Sequence, residues 1–131
     1  MQKDYSFLVH KSFKNQLSSV LAKHPSYRKK IQTQLEKSRV NPTGAGNWMS
    51  RLPDHLDGKI YKIWVGGKKG LRYIYYHDSS SRFVCPVFIS NDIRPNFRYE
   101  DHPWVERAKE IHDALTDGSN KEFEIWDSIQ P

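Results

Sequence analysis

The chain has 131 residues, which suits one domain with one modest core. Its single cysteine excludes an internal disulfide, no apolar run approaches bilayer-crossing length, and residues 1–20 lack the apolar stretch of a secretion signal. The net charge of +6 is uneven: residues 1–99 hold 18 Lys+Arg against 6 Asp+Glu, whereas residues 100–131 hold 3 against 9. A basic body of this kind attracts a polyanion such as nucleic acid. The acidic tail is either an ordinary solvated segment or one that lies on the basic surface and weakens such binding. With nothing pointing to an oxidising compartment, the expected location is the cytoplasm.

Tyr5 to Val9 is short, aromatic and aliphatic, and reads as a first strand. Ser12 is a candidate N-cap for a helix whose apolar face is Phe13, Leu17, Val20 and Leu21 and which ends near Lys23. Pro25 suits the first turn of a second helix, with Tyr27, Ile31 and Leu35 on one stripe and Arg28, Lys29, Lys30 and Lys37 on the rest. Asn41 to Asn47 is a loop by composition, and Trp48 to Leu56, with Pro53, is irregular. Lys59 to Val65 and Leu71 to His77 are strands joined by the turn GGKKG. Arg82 to Ile89 is another, in which Pro86 argues for an edge position or a bulge. Cys85, inside FVCPVFI, reads as a buried structural thiol. Asp101 and Pro103 open a further helix, over about 102–117, with Trp104, Ala108, Ile111 and Leu115 as its stripe and Gly118 as its stop. Phe123, Ile125 and Trp126 allow one more short element. The expected class is α+β, with helices beside an antiparallel sheet.

Most catalytic patterns are missing. The six histidines are scattered and one cysteine makes no zinc-ligand spacing. GGKKG joins two strands, where a phosphate-cradling loop opens a helix. No nucleophile elbow is present. What remains is a cationic sheet. Alternation puts Lys62 and Trp64 on one face, and Tyr61, Ile63 and Val65 on the other. Arg72 and Tyr76 flank Ile74 on a common face, and Tyr73 and Tyr75 point to the opposite one, the core. Arg94 follows the last strand, with Arg98 and Tyr99 close behind. Such a face is either a solvated surface with snorkelling cations or a phosphate site with aromatic platforms for unstacked bases.

The segment YKIWVGGKKGLRYIYY, followed by VFISNDIR, resembles the RelE/ParE superfamily of bacterial toxins, and within it the RelE-like mRNA interferases of type II toxin–antitoxin systems. Tyr61-Lys62-Ile63 is similar to the Y-K-I of the family's second strand. Gly70 to Tyr75 is similar to its G-Y-R strand, and Ile89 to Arg94 to the end of its last strand. The helical hairpin and the NP-containing loop also fit, and the resemblance covers roughly residues 4 to 99. It implies a β-α-α-β-β-β order: an N-terminal strand and helical hairpin packed on a small antiparallel sheet. Residues 1–99 would be this core, and 100–131 an acidic C-terminal extension, with an extra helix, packed on the same domain.

The resemblance also implies an activity. RelE-like toxins enter the ribosomal A site and cut mRNA without metal or cofactor, the 2′-OH attacking the adjacent phosphate. Lys62 would activate the nucleophile or stabilise the phosphate, Arg72 grip the scissile phosphate, Arg94 sit near the leaving group, and Tyr99 assist proton transfer or stacking. Trp64, Lys68, Lys69, Tyr76 and Arg98 would contact RNA. Implied partners are mRNA, the ribosome and a cognate antitoxin, with no membrane. Trp64 stands where the family has a second lysine; Lys68 or Lys69 in the turn either compensates for it or is simply solvated. The extension has three readings: a docked part of the core, a cover over the basic site, or part of the antitoxin surface. The rival functions are a ParE-like inhibitor of DNA gyrase and a non-catalytic nucleic-acid or ribosome-binding module, and fold alone does not separate them.

Overall fold

A computed structural model of the chain describes residues 5–48, 56, 59–66, 71–78, 82–90, 103–117 and 123–126; for Asn47, Trp48, Ser90, residues 103–105 and Asp117 it describes the backbone alone. Strand β1 (Ser6–His10) runs directly into helix α1 (Lys11–Lys23). The helix is capped by His10, whose Nδ1 accepts from the Ser12 N–H at 3.1 Å. The cap expected at Ser12 therefore lies two residues earlier, and Ser12 contributes a donor to it. A separate 3-10 turn, Pro25–Tyr27, precedes helix α2 (Arg28–Val40), so Pro25 opens the turn and not the helix.

Strands β2 (Asn47–Trp48), β3 (Ile60–Val65), β4 (Leu71–Tyr76), β5 (Phe83–Ser90) and β6 (Phe123–Trp126), with helix α3 (Pro103–Asp117) between the last two, complete the described elements. The sheet order is β2-β3-β4-β5-β1-β6. The meander β3-β4-β5 is antiparallel as expected, but β1 lies beside β5 in parallel, with Ser6 opposite Phe83. The sheet is thus mixed. Strand β2 takes the β3 edge of the meander, and β1 takes the other, beside β5. Two short strands add to it. Asn47 and Trp48 pair with Lys62 and Tyr61, where a loop was expected, and Phe7 to His10 pair antiparallel with β6. Pro86 is not at an edge, because β5 has β4 on one side and β1 on the other. It sits at a bulge: Tyr75 faces Pro86 while Ile74 faces Phe88. The extra residue, Val87, absorbs the irregularity that a missing amide hydrogen imposes. It also lets Val87 and Phe88 share one face.

The two faces carry two cores. The hairpin α1–α2 covers Phe7, Val9, Ile63, Val65, Tyr73 and Tyr75 with Phe13, Leu17, Ile31 and Leu35. Helix α3 covers Leu8, Ile74, Tyr76, Cys85 and Phe88 with Ala108 and Ile111. Tyr73 and Tyr75 are wholly buried, as the alternation predicts. A buried hydroxyl must find a partner. The Ser38 hydroxyl donates to the Leu35 carbonyl at 2.6 Å and sits 3.0 Å from the Tyr73 hydroxyl. The Tyr75 hydroxyl donates to the Pro42 carbonyl at 2.6 Å, tying the loop after α2 to the sheet. Tyr75→Phe is expected to cost about 1–3 kcal/mol in urea denaturation, because the buried Pro42 carbonyl loses its donor while the stack on Tyr61 persists. Gly66 ends β3 at φ 80°, and a Cβ there would come within 2.5 Å of the Tyr27 ring. Two constraints, handedness and space, therefore reserve this position for glycine.

Candidate nucleic-acid interface

The β3–β4 register places the cationic residues. Trp64 lies directly opposite Arg72, Lys62 opposite Ile74, and Ile60 opposite Tyr76. All six belong to the face that α3 partly covers, so alternation predicted the shared face correctly. Toward the Tyr76 end this face is apolar and closed by Ala108 and Ile111. Toward the Arg72 end it turns cationic.

Trp64 joins the two cations. The Lys62 ammonium lies 5.4 Å from the indole centroid and the Arg72 guanidinium carbon 5.1 Å from it. An indole face attracts each cation by roughly 0.5–2 kcal/mol, more when water is excluded. That attraction offsets their mutual repulsion and the cost of withdrawing charge from water. Arg72 needs the compensation most, since it is only 6% exposed. Lys62 is half-buried, and burial, followed by the neighbouring Arg72 charge, lowers its pKa below the ordinary lysine value. Where the resemblance expects a second lysine, a third cation would have raised the repulsion further; an indole there clamps the pair.

The lowered pKa has a stability consequence with a definite sign. The folded state disfavours protonated Lys62, so its destabilising contribution is full below the lowered folded-state value. The contribution disappears as pH rises through the ordinary value of about 10.4. Lys62→Met is expected to raise stability at neutral pH by up to about 1 kcal/mol, the half-buried side chain being partly screened by solvent. Thermal melts of both proteins should converge at high pH, and a Lys62→Met protein less stable than wild type at pH 7 would contradict this account.

Tyr76 belongs elsewhere. It is 3% exposed, and its hydroxyl lies 3.1 Å from His112 Nδ1 on α3. Burial pushes its pKa up to about 12. Covered by α3, Tyr76 offers no platform for a base, contrary to its expected role as an RNA contact. Nothing in the sequence linked Tyr76 to His112; the signal was the helical stripe of Ala108 and Ile111, whose flank His112 occupies. Arg94, Tyr99, Lys68, Lys69 and Arg98 lie outside the described residues. So the structure brings together Lys62, Trp64 and Arg72 of the expected set.

Cys85 is fully buried and its thiol is pushed up by burial, which suits packing and not nucleophilic work. Among the described residues no group of His, Cys, Asp and Glu is placed to hold a metal ion, and no helix is long and apolar enough to cross a membrane. Neither a protein-family model nor a curated protein matches the chain.

Proposed function

We propose that this chain is a RelE-like toxin: an endoribonuclease that cuts mRNA in the ribosomal A site and so inhibits translation. The observation that carries the reading is the joint placement of Lys62 and Arg72 on one indole, with the pKa of Lys62 lowered. Cleavage by an internal 2′-OH needs a base for that hydroxyl, cations for the charge that builds on the phosphorane, and a proton for the departing oxygen. Lysine serves as a base only when its pKa is brought down, and burial beside a second cation does that. In the proposed step, the neutral form of Lys62, which its lowered pKa makes more accessible, takes the 2′-OH proton and O2′ bonds to phosphorus. Arg72 holds the non-bridging oxygens. The P–O5′ bond breaks, leaving a 2′,3′-cyclic phosphate and a protonated 5′-oxygen. Arg94 and Tyr99 are the proposed source of stabilisation and of the proton at the leaving side. The partners in this reading are mRNA, the ribosome and a cognate antitoxin, and the site of action is the cytoplasm.

A non-catalytic RNA-binding module on the same fold is the second reading. It is favoured by one observation, the burial of Arg72 against Trp64, which suits a stacking surface as well as a phosphate grip. A translating extract separates the two. Primer extension should map new mRNA 5′ ends at A-site codons, and those ends should vanish with Arg72→Ala. Intact mRNA with translation still blocked favours the module, and intact mRNA with blocked supercoiling favours a ParE-like gyrase inhibitor.

A further inference from the structure

The geometry points to a second RNA contact: the elbow between α1 and α2 carries the RNA strand onward from the Lys62–Trp64–Arg72 cluster by gripping its phosphates. This deepens the proposed function and rests on reading the sheet face as an RNA site.

The first observation is where the charge lies. Residues Lys11 to Val40 contain eight lysines and arginines and one acid, Glu36. Glu36 is held by Arg39 at 2.7 Å, and Lys14 is held by Glu124 at 3.1 Å. Lys23, Arg28, Lys29 and Lys30 lie within eight residues at the elbow, and all four are exposed. A stretch so rich in cations and so poor in acids is a footprint for a polyanion.

The second observation is where the elbow sits. Tyr27, half-buried at the elbow, carries the Lys30 ammonium 5.2 Å above its ring, and that ring packs against Gly66. Gly66 is two residues beyond Trp64, about 7 Å along the strand. The elbow thus adjoins the end of β3 at which Trp64 faces Arg72. The elbow packs on the opposite face of the sheet from the cluster, so a strand leaving the cluster has to round the end of β3 to meet Lys30, Lys29 and Lys23. The missing side chain at Gly66 is what permits the close approach.

The third observation is what the elbow lacks. Among the described residues the exposed large hydrophobic side chains are Val40 and Ile125, neither of them at the elbow. A protein partner needs an apolar centre to its interface, whereas a phosphate backbone needs cations alone. The elbow offers Lys and Arg with ring surface from Tyr27 and His24, which suits a backbone contact with no base preference.

The test uses the full chain and uncleavable 2′-O-methyl RNA of about 20 and about 4 nucleotides, bracketing the usual footprint of a single-strand site. The variant Lys23→Gln/Lys29→Gln/Lys30→Gln changes only exposed side chains, so the fold persists. Each lost phosphate contact removes about 0.7 from the salt slope of single-strand binding. The long RNA should therefore bind the variant about tenfold more weakly at physiological salt, with a slope lower by about 2, while the short RNA binds as before. Unchanged affinity and slope for the long RNA overturn the proposal. So does polyglutamate that displaces the long RNA as well, charge for charge, as unlabelled RNA does, since the elbow would then fit an acidic protein. Arg72→Ala tells the two levels apart. Short-RNA binding indifferent to Arg72→Ala sinks the sheet-face reading, whereas a response to Arg72→Ala without one to the triple change sinks the elbow alone.

Discussion

Arg72→Ala is expected to lower mRNA cleavage by about 10²–10³-fold, the usual effect of removing one preorganised group that stabilises charge in the transition state. The same change removes a guanidinium from the Trp64 ring and opens space at a position only 6% exposed, so a stability loss of about 1 kcal/mol should accompany it. That loss is small enough to leave the protein folded, and a melting curve run beside the cleavage assay checks it. Arg72→Lys is a sharper probe. It keeps the charge but loses the planar fork that stacks on an indole and grips two phosphate oxygens at once. Cleavage by Arg72→Lys should stay near the Arg72→Ala level. Full activity in either variant would remove Arg72 from the chemistry and leave the second reading, a binding surface, in front.

Ile111→Ala should cost about 2–4 kcal/mol, a large part of the 5–15 kcal/mol that holds a domain of this kind together. Ile111 is 2% exposed and packs, with Ala108, on the sheet core of Leu8, Ile74, Tyr76, Cys85 and Phe88. The expected observation is a lower urea midpoint at an unchanged m-value, with one transition. This outcome distinguishes two readings of the acidic extension. If α3 is integral to the core, the whole chain loses stability together. If α3 is a detachable cover, Ile111→Ala frees the helix, the midpoint of the remainder holds, and RNA binding rises. Ile125→Ala, at a residue 63% exposed, is the matching control and should change little.

Much of this arrangement was legible because period-two alternation is a strong signal where both faces are occupied. Lys62 and Trp64 fall opposite Tyr61 and Ile63 by geometry alone, and Tyr73 and Tyr75 must point away from Arg72. The helical stripes of Phe13, Leu17 and Val20, and of Ala108 and Ile111, identified the surfaces that cover the sheet. The parallel pairing of β1 with β5 was not legible, since it depends on which sheet edge is vacant after the meander forms. The His10 cap escaped because histidine seldom caps, and its role needs β1 to end where α1 begins. Tyr76 was misplaced for a different reason: its face was read correctly, but the reach of α3 along that face depends on tertiary packing. Pro86 left two options open, and the two neighbours of β5 decide for the bulge.

The position of β1 has a kinetic consequence. It lies between β5 and β6, so Phe7 must meet Val84 on one side and Trp126 on the other. Those pairings span most of the polypeptide, and structures dominated by such distant contacts acquire them slowly, over milliseconds to seconds. During synthesis the first strand emerges long before either neighbour, and it stays unpaired on one side until β5 is made and on the other until β6 is made. The sheet should therefore close only once β6 has been made, and the nascent segment from β1 to α2 should be the part most exposed to mispairing and to chaperones.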